Sequence, residues 1–284
     1  MIDKKDVVVD GEPSIVTDIR KLIGTEFSGL RFDEIPHKYY LGGRELPSVT
    51  QITHKFKKET DFADVAVNYA RNNGFTPEYW LDKWKFINLK ATVTGTSVHE
   101  YGESLGWLRN GHPEFITDEN KVKYVADKGW LIPTRAKEEA VLKFYDEFPD
   151  GLHFVTAEAK VFSNKGAKSM VKTQFAGTFD LLAYYVDKNN HDNDGLVVLD
   201  WKTNKSLVDA YNRENGKYLL PPFNNMIDEN LSIYTIQLSL YSLCLRGIGL
   251  DVKGCRVIWL KDDGTYELIK VRDLSSDEGF KDNF

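Results

Sequence analysis

The chain has 284 residues, 42% of them hydrophobic and 28% charged, which allows one large domain or two small ones with a sizeable core. It holds no run of eighteen apolar residues, opens on the polar stretch Met-Ile-Asp-Lys-Lys-Asp, and has two cysteines, Cys244 and Cys255. No membrane span, secretory signal, disulfide scaffold or cysteine-only metal centre is therefore expected, and the simplest reading is a reduced, cytoplasmic protein.

The formal charge of −6 argues mildly against nucleic acid as a partner, because phosphate neutralisation normally calls for a broad basic face. A protein that gathers acidic residues around a metal can still be acidic overall and keep a local basic channel.

In chain order, residues 1–30 mix helical and turn signals and carry no chemistry. His37 to Leu41 and Arg44 to Thr50 flank Gly42-Gly43 and predict a β-hairpin, with Ser48 or Thr50 placed to cap a following helix. From Asp61 to Asn72, Phe62, Val65, Ala66 and Tyr69 fall at helical spacing. Glu78 to Trp107 is again helical, with an interruption expected at Gly95-Thr96. Residues 109–134 read as loops with a short helix. Thr134 to Phe148 is an amphipathic helix closed by Pro149-Asp150-Gly151.

Beyond residue 151 the hydrophobic period shortens from 3.6 to 2. Leu152–Phe162, Gly177–Tyr185 and Gly195–Lys202 each predict a strand, with polar turns at Asn164-Lys165-Gly166 and between Lys188 and Gly195. A Tyr- and Asn-rich stretch from Thr203 to Asn230 leads into a helix, Ser232–Arg246, and a closing hairpin, Cys255–Lys261 and Thr265–Val271. The tail from Ser275 is expected to fray. This order predicts an α/β (α+β) fold in one domain, a central mixed sheet flanked by helices. Within it, 1–36 is an N-terminal extension, 37–150 a hairpin and helical part, and 151–271 the sheet core.

Chemistry concentrates on two strands. Residues two apart in a strand share a face, so Asp200 and Lys202 lie side by side with Trp201 opposite. Asp180 stands on the preceding strand of the same hairpin. Two apposed carboxylates repel, and a shared proton or a divalent cation relieves them. A lysine beside them can orient a water or stabilise charge developing on a phosphate. Taken alone, Asp-X-Lys reads more readily as a surface ion pair; the Gly177-Thr178-Phe179-Asp180 segment on the preceding strand tips the balance toward a site.

Four short motifs stand in one order: Gly95-Thr96-Ser97-Val98-His99, Gly177-Thr178-Phe179-Asp180, Asp200-Trp201-Lys202-Thr203, and Gln237-Leu238-Ser239-Leu240-Tyr241. Together they resemble the RecB-like branch of the PD-(D/E)XK nuclease superfamily. His37-Lys38-Tyr39-Tyr40 and Pro47-Ser48-Val49-Thr50 look like its phage-type and mitochondrial-type members. The resemblance spans roughly residues 37–260 and implies a restriction-endonuclease-like core. It also implies a Mg2+- or Mn2+-dependent DNA exonuclease acting in phage biology or in DNA recombination, repair or replication.

Residue by residue, it implies that Asp180, Asp200 and Lys202 are catalytic. His99, Asp180, Asp200 and the Trp201 carbonyl would face the metal. Gln237 and Tyr241 would line the DNA path, and Glu158 would be an accessory acid. Each has a plainer alternative: a satisfied helix histidine for His99, a polar helix edge for Gln237 and Tyr241, and a salt bridge to Lys160 or a lysine on a nearby strand for Glu158.

Lys55, Lys57 and Lys58, with Tyr211, Lys217 and Tyr218, are the local residues suited to DNA contact. Gly166-Ala167-Lys168-Ser169 lacks P-loop spacing, so no nucleotide cofactor is expected. Three other readings stay open: a non-catalytic nucleic-acid-binding subunit of the same fold, an endonuclease, and an unrelated metal-binding or structural protein in which the motifs are coincidence.

Overall fold

In the computed structural model, which describes residues 8–9, 12–112, 135–163 and 174–284, the shortening of the hydrophobic period after residue 151 falls where the main sheet begins. Upstream of it, β1 (Val8–Val9) and β2 (Glu12–Pro13) form a minimal antiparallel pair leading into α1 (Ser14–Glu26). That helix buries Ile15, Val16, Ile19 and Ile23, one apolar stripe at helical spacing.

The expected hairpin is present as β4 (Lys38–Leu41) and β5 (Arg44–Leu46). Its turn requires left-handed backbone at both Gly42 (φ 57°) and Gly43 (φ 82°), a conformation side chains resist. A third strand, β3 (Leu30–Asp33), unanticipated in the sequence, completes a separate antiparallel sheet. α2 (Val49–His54) follows, and Ser48 caps it: the Ser48 side chain accepts from the Gln51 N–H while the Gln51 side chain accepts from the Ser48 N–H.

α3 (Phe62–Asn73) and α4 (Pro77–Arg109) form a long helical hairpin. The interruption expected at Gly95-Thr96 does not occur. A mid-helix glycine costs only about 1 kcal/mol relative to alanine, too little to break 33 residues of continuous helix. The apolar face expected on α3 also does not become core. Phe62, Val65 and Tyr69 are exposed and only Ala66 is buried, because α3 packs on the first half of α4 rather than on the sheet. Tyr69, Trp80 and Trp84 hold the two helices together edge to face. The second half of α4 buries Val98, Tyr101, Leu105 and Trp107 in the main core.

α5 (Ala136–Asp146) starts just after the expected Thr134. Most of the segment read as loops (113–134), and the turn at Asn164-Lys165-Gly166 with the non-P-loop stretch after it, lie outside the described residues.

The main sheet is mixed, in the order β10-β9-β8-β7-β6. Strands β6 (Leu152–Phe162), β7 (Ala176–Tyr185) and β8 (Gly195–Lys202) form an antiparallel meander. The long connection, carrying the short α6 (Ala210–Glu214) and then α7 (Asn230–Gly247), returns the chain to β9 (Val252–Leu260), parallel to β8. β10 (Tyr266–Val271) closes the edge antiparallel to β9.

Helices cover both faces. Val198, Leu182 and Val257 pack with α7 and α1, while Leu181, Leu199 and Trp201 pack with α4 and α5. The fold is therefore the expected α/β arrangement. The tail does not fray: α8 (Glu278–Lys281) buries Phe280, and Phe284 stacks on Phe223 at 6.4 Å between ring centroids. The rings of Phe56, Phe175, Phe223 and Phe280 around Phe284 outweigh the ordering entropy of a short terminus. No helix among the described residues is long and apolar enough to cross a membrane.

An ion pair between a buried carboxylate and a half-exposed arginine ties the long connection to α7. Glu229 accepts from Arg213 Nε and Nη2, each at 2.7 Å, and from the Asp209 N–H at 3.1 Å. Burial opposes its ionisation, but Arg213 outweighs burial and holds the carboxyl below its ordinary value of 4.5. A depressed carboxyl stabilises the fold above its unfolded pKa and loses that contribution as pH falls through the folded value. Glu229→Gln is thus expected to cost about 1–2 kcal/mol at pH 7, since Arg213 is half exposed, and progressively less below about pH 4.5. Urea unfolding of both proteins from pH 7 to pH 3 measures this; a difference independent of pH would contradict the assignment.

Candidate active site

The register of the meander lines up three acids. Ala157↔Leu181 and Ala159↔Phe179 bracket Glu158 opposite Asp180, and one step beyond Leu181↔Leu199 places Asp180 opposite Asp200. Like charges on directly opposed strand positions are unfavourable, so a row of three carboxylates is not what sheet stability alone selects. Asp200 is fully buried and Asp180 nearly so. Glu158 departs from strand geometry, with φ 48°, in a left-handed conformation uncommon for a side-chain-bearing residue.

Each acid has a specific partner. Asp180 Oδ2 accepts from the Trp201 N–H at 2.7 Å, which fixes it against the end of β8. Its other oxygen lies 3.3 Å from His99 Nδ1, and Glu158 Oε1 lies 3.4 Å from the same nitrogen. Asp200 forms an ion pair with Lys202 and accepts weakly from Gln237 Nε2 at 3.4 Å. Gln237 also donates to the Tyr241 hydroxyl at 3.3 Å. The α7 face at Gln237 and Tyr241 thus closes over Asp200, while α4 delivers His99 from the other side.

Two glycines let these elements approach. A Cβ at Gly102 would stand 2.9 Å from Trp201 Nε1, and one at Gly177 would stand 2.7 Å from the Tyr241 ring. Both contacts are shorter than a Cβ tolerates, so α4 and α7 sit this close to the sheet only with glycine there.

The electrostatics are those of a crowded acidic centre. Burial, reinforced by Asp180, pushes the Asp200 carboxyl up to about 7 against the pull of Lys202. Burial likewise raises Glu158. Burial also works against ionisation of Asp180, but His99 overcomes it and holds that carboxyl low. His99 would be depressed by burial, yet Asp180 and Glu158 draw it up to about 10. Lys202 stays charged because Asp200 and Asp180 outweigh its own desolvation.

His99 and Lys202 serve as counter-charges to the acids. Glu158 Oε1 and Asp200 Oδ2 are buried without a hydrogen bond, held only by those ion pairs. Ligand atoms of His99, Glu158 and Asp180 lie within 4.8 Å of one another. Oxygen-rich donors with unused buried lone pairs and one imidazole fit a hard divalent cation such as magnesium or manganese.

His99, Glu158, Asp180 and Lys202 line a cavity of about 390 Å³, while the fully buried Asp200 is not among its lining residues. Its far wall comes from the small sheet and α2, with Phe32, Ser48, Thr50, Thr53 and His54. The Tyr39 hydroxyl bonds Thr178 Oγ1 at 2.9 Å and fastens that wall to β7. His37, at the rim, has φ 52° and packs edge-on against Phe32.

Of the residues singled out in the sequence, Asp180, Asp200, Lys202, His99, Glu158, Gln237 and Tyr241 meet here. Trp201 contributes its backbone N–H, and its ring is buried on the opposite face. Lys55, Lys57, Lys58, Tyr211, Lys217 and Tyr218 are not among the residues lining the cavity. Lys57 approaches Asp228 at 4.0 Å, and Lys217 stacks over the Tyr211 ring at 4.5 Å. Glu158 faces His99 rather than making the salt bridge to Lys160 that was its alternative.

Sequence reasoning missed Tyr234, which lines the cavity with its ring 4.5 Å from Lys202 Nζ. Its signal was present: 234, 237 and 241 share one helical face.

A further pair steadies the site from α5. Buried Lys137 donates to the carbonyls of Thr203 at 2.6 Å and Leu260 at 3.1 Å, which pins the chain just after Lys202. Beside it Glu138 accepts from Ser97 Oγ at 2.7 Å, two residues before His99. Lys137→Met should lower stability by about 1–3 kcal/mol by leaving both carbonyls without their donor. An unchanged denaturant midpoint would show that water replaces the ammonium.

No protein-family model matches the chain, and no curated protein compared with it matches either.

Proposed function

We propose that this chain is a divalent-cation-dependent deoxyribonuclease that hydrolyses phosphodiester bonds, acting as an exonuclease of the RecB-like PD-(D/E)XK type. The observation that carries the reading is the arrangement of Asp180, Asp200 and Lys202 on adjoining strands, with His99 and Glu158 around Asp180. The ordered motifs of the sequence converge on that one cavity, and the antiparallel meander with a parallel β9 suits a restriction-endonuclease-like core.

Asp180 and Asp200, with His99 and Glu158 beside them, would hold the magnesium or manganese. When bound, that ion supplies charge neutralisation at the phosphate and lowers the pKa of the attacking water. Lys202, kept cationic by its surroundings, directs a positive charge to the place where negative charge grows on the phosphate. Gln237 ties the Asp200 carboxylate to α7. The Thr50 hydroxyl and the His54 ring on the far wall can donate to phosphate oxygens. The choice of exonuclease over endonuclease rests on family resemblance alone.

The test is degradation of end-labelled single- and double-stranded DNA, linear and circular, with magnesium, manganese or EDTA. Metal-dependent loss of linear DNA supports an exonuclease. Cutting of circles makes it an endonuclease, and binding without cleavage under every condition leaves a nucleic-acid-binding subunit.

A further inference from the structure

Lys202 has a second neighbour besides Asp200. Its ammonium lies 4.5 Å from the centroid of the Tyr234 ring, within the range where a cation is attracted to an aromatic face. The ring is held at both ends. Its backbone belongs to α7, and its hydroxyl donates to Asn204 Oδ1 at 2.6 Å. Asn204, two residues past Lys202, is itself fixed by Trp259 Nε1, which donates to its carbonyl at 2.8 Å. The result is a closed loop of contacts: Lys202, Tyr234, Asn204, and back along the chain to Lys202.

This loop matters because the ion pair with Asp200 is conditional. A carboxylate that turns its charge toward a cation gives less to a lysine, and a lysine stem has four rotatable carbons on which to swing away. The attraction of the Tyr234 face does not depend on Asp200. Gln237 lies one turn further along α7 and steadies Asp200 from the same helix, so Tyr234 and Gln237 act on the two members of the pair separately.

We infer that Tyr234 is a positioning residue that holds the Lys202 ammonium at the cavity when Asp200 is engaged by a cation, with Asn204 setting the angle of the ring. Its role in cleavage rests on the nuclease reading above; the placement of Lys202 does not.

The experiment reads Lys202 directly. In protein labelled with 13C at the lysine ε position, the Lys202 resonance is assigned by its loss in Lys202→Arg, then followed in wild type, Tyr234→Phe, Tyr234→Leu and Asn204→Ala, with EDTA and with magnesium. A lysine methylene over an aromatic face is shifted upfield by the ring. The shift is expected in wild type, reduced alike in Tyr234→Phe and Asn204→Ala, which remove the same hydroxyl–amide bond, and absent in Tyr234→Leu. Magnesium should leave it in place in wild type. Unchanged signals from the other lysines show that each variant is folded. A Lys202 resonance indifferent to Tyr234→Leu overturns the inference, as does an upfield shift that disappears when magnesium is added to wild type.

Steady-state cleavage gives the second arm: Tyr234→Leu should lower kcat about 10- to 100-fold with little change in KM, while Tyr234→Phe stays within about threefold of wild type. Equal activity of Tyr234→Leu and wild type would refute the positioning role. If no protein in the series cleaves any nucleic acid while the resonances behave as expected, the nuclease reading fails and the placement of Lys202 by Tyr234 stands.

Discussion

Asp200→Asn is expected to reduce cleavage by at least about a thousandfold while leaving the fold intact, and in EDTA at pH 8 to unfold no earlier than wild type. The two halves of this result follow from one fact. Asp200 is fully buried next to Asp180, and burial together with Asp180 pushes its carboxyl up to about 7 from an ordinary 3.8. A carboxyl raised on folding binds more protons in the native state than in the unfolded one between those two values. Stability therefore falls as pH rises through that window, and the loss is complete above about 7. Asparagine has the shape of the protonated acid and never ionises, so it removes this penalty. Lys202 retains Asp180 as a nearby counter-charge, which limits what the lost ion pair costs.

The same substitution removes the charge a divalent cation would need. Ligand binding to the native state alone stabilises by about 2.7 kcal/mol at a hundredfold excess over Kd, worth several degrees in a chain of this size. Magnesium should thus raise the unfolding midpoint of wild type and leave that of Asp200→Asn almost unmoved. Thermal unfolding with and without magnesium, beside single-turnover cleavage, measures all three effects. A variant that keeps activity within tenfold of wild type would remove Asp200 from the catalytic centre.

How far the sequence led is clearest at β8. Gly195–Lys202 could be bounded from its period-2 pattern and turn residues, and the face shared by Asp200 and Lys202 followed from strand geometry alone. That Asp180 can be a neighbour of Asp200 required only that consecutive strands form a hairpin; the register that sets them opposite came from the structure. Glu158 was harder. Its position opposite Asp180 depends on the register of β6 against β7, which no local pattern fixes, and on a left-handed backbone that sequence does not announce for glutamate.

The helices misled in a different way. Phe62, Val65 and Tyr69 carry the spacing of a buried stripe, and Gly95 looks like a stop. Yet the α3–α4 hairpin stands largely on its own aromatic contacts, and helix propagation runs through the glycine. Periodicity reports which residues share a face; what that face meets is decided by distant parts of the chain. The far wall of the cavity shows the same limit, because the Tyr39–Thr178 contact joins residues 139 apart in sequence.

Trp201→Ala should be the most destabilising single change on the sheet, by about 3–5 kcal/mol, and should also weaken cation binding although the ring touches none of the acids. Trp201 heads the fully buried side chains by size, with Phe144 at 5.1 Å and Tyr145 at 5.9 Å between ring centroids. Its indole also fills the space that Gly102 leaves open on α4. Removing it takes away the surface on which α4 rests, and His99 lies on that helix one turn before Gly102. The loss would be a large share of the 5–15 kcal/mol that holds a typical domain folded.

Gly102→Ala presses on the same contact from the other side. A methyl at 2.9 Å from the indole must push α4 outward, at a cost of about 1–3 kcal/mol. If the packing of Trp201 on Gly102 sets the reach of His99, both variants lose magnesium-induced stabilisation, one by loosening α4 and the other by displacing it. Unfolding of each with and without magnesium separates this from general weakening of the core, for which Phe144→Leu at the far edge of the indole serves as the control. Equal loss of the magnesium effect in all three would mean that the site depends on overall stability. Retention in Phe144→Leu alone would tie His99 to the Trp201–Gly102 contact. The strand that presents Asp200 and Lys202 on one face would then also fix, through Trp201 on the other, the helix that brings His99 to Asp180.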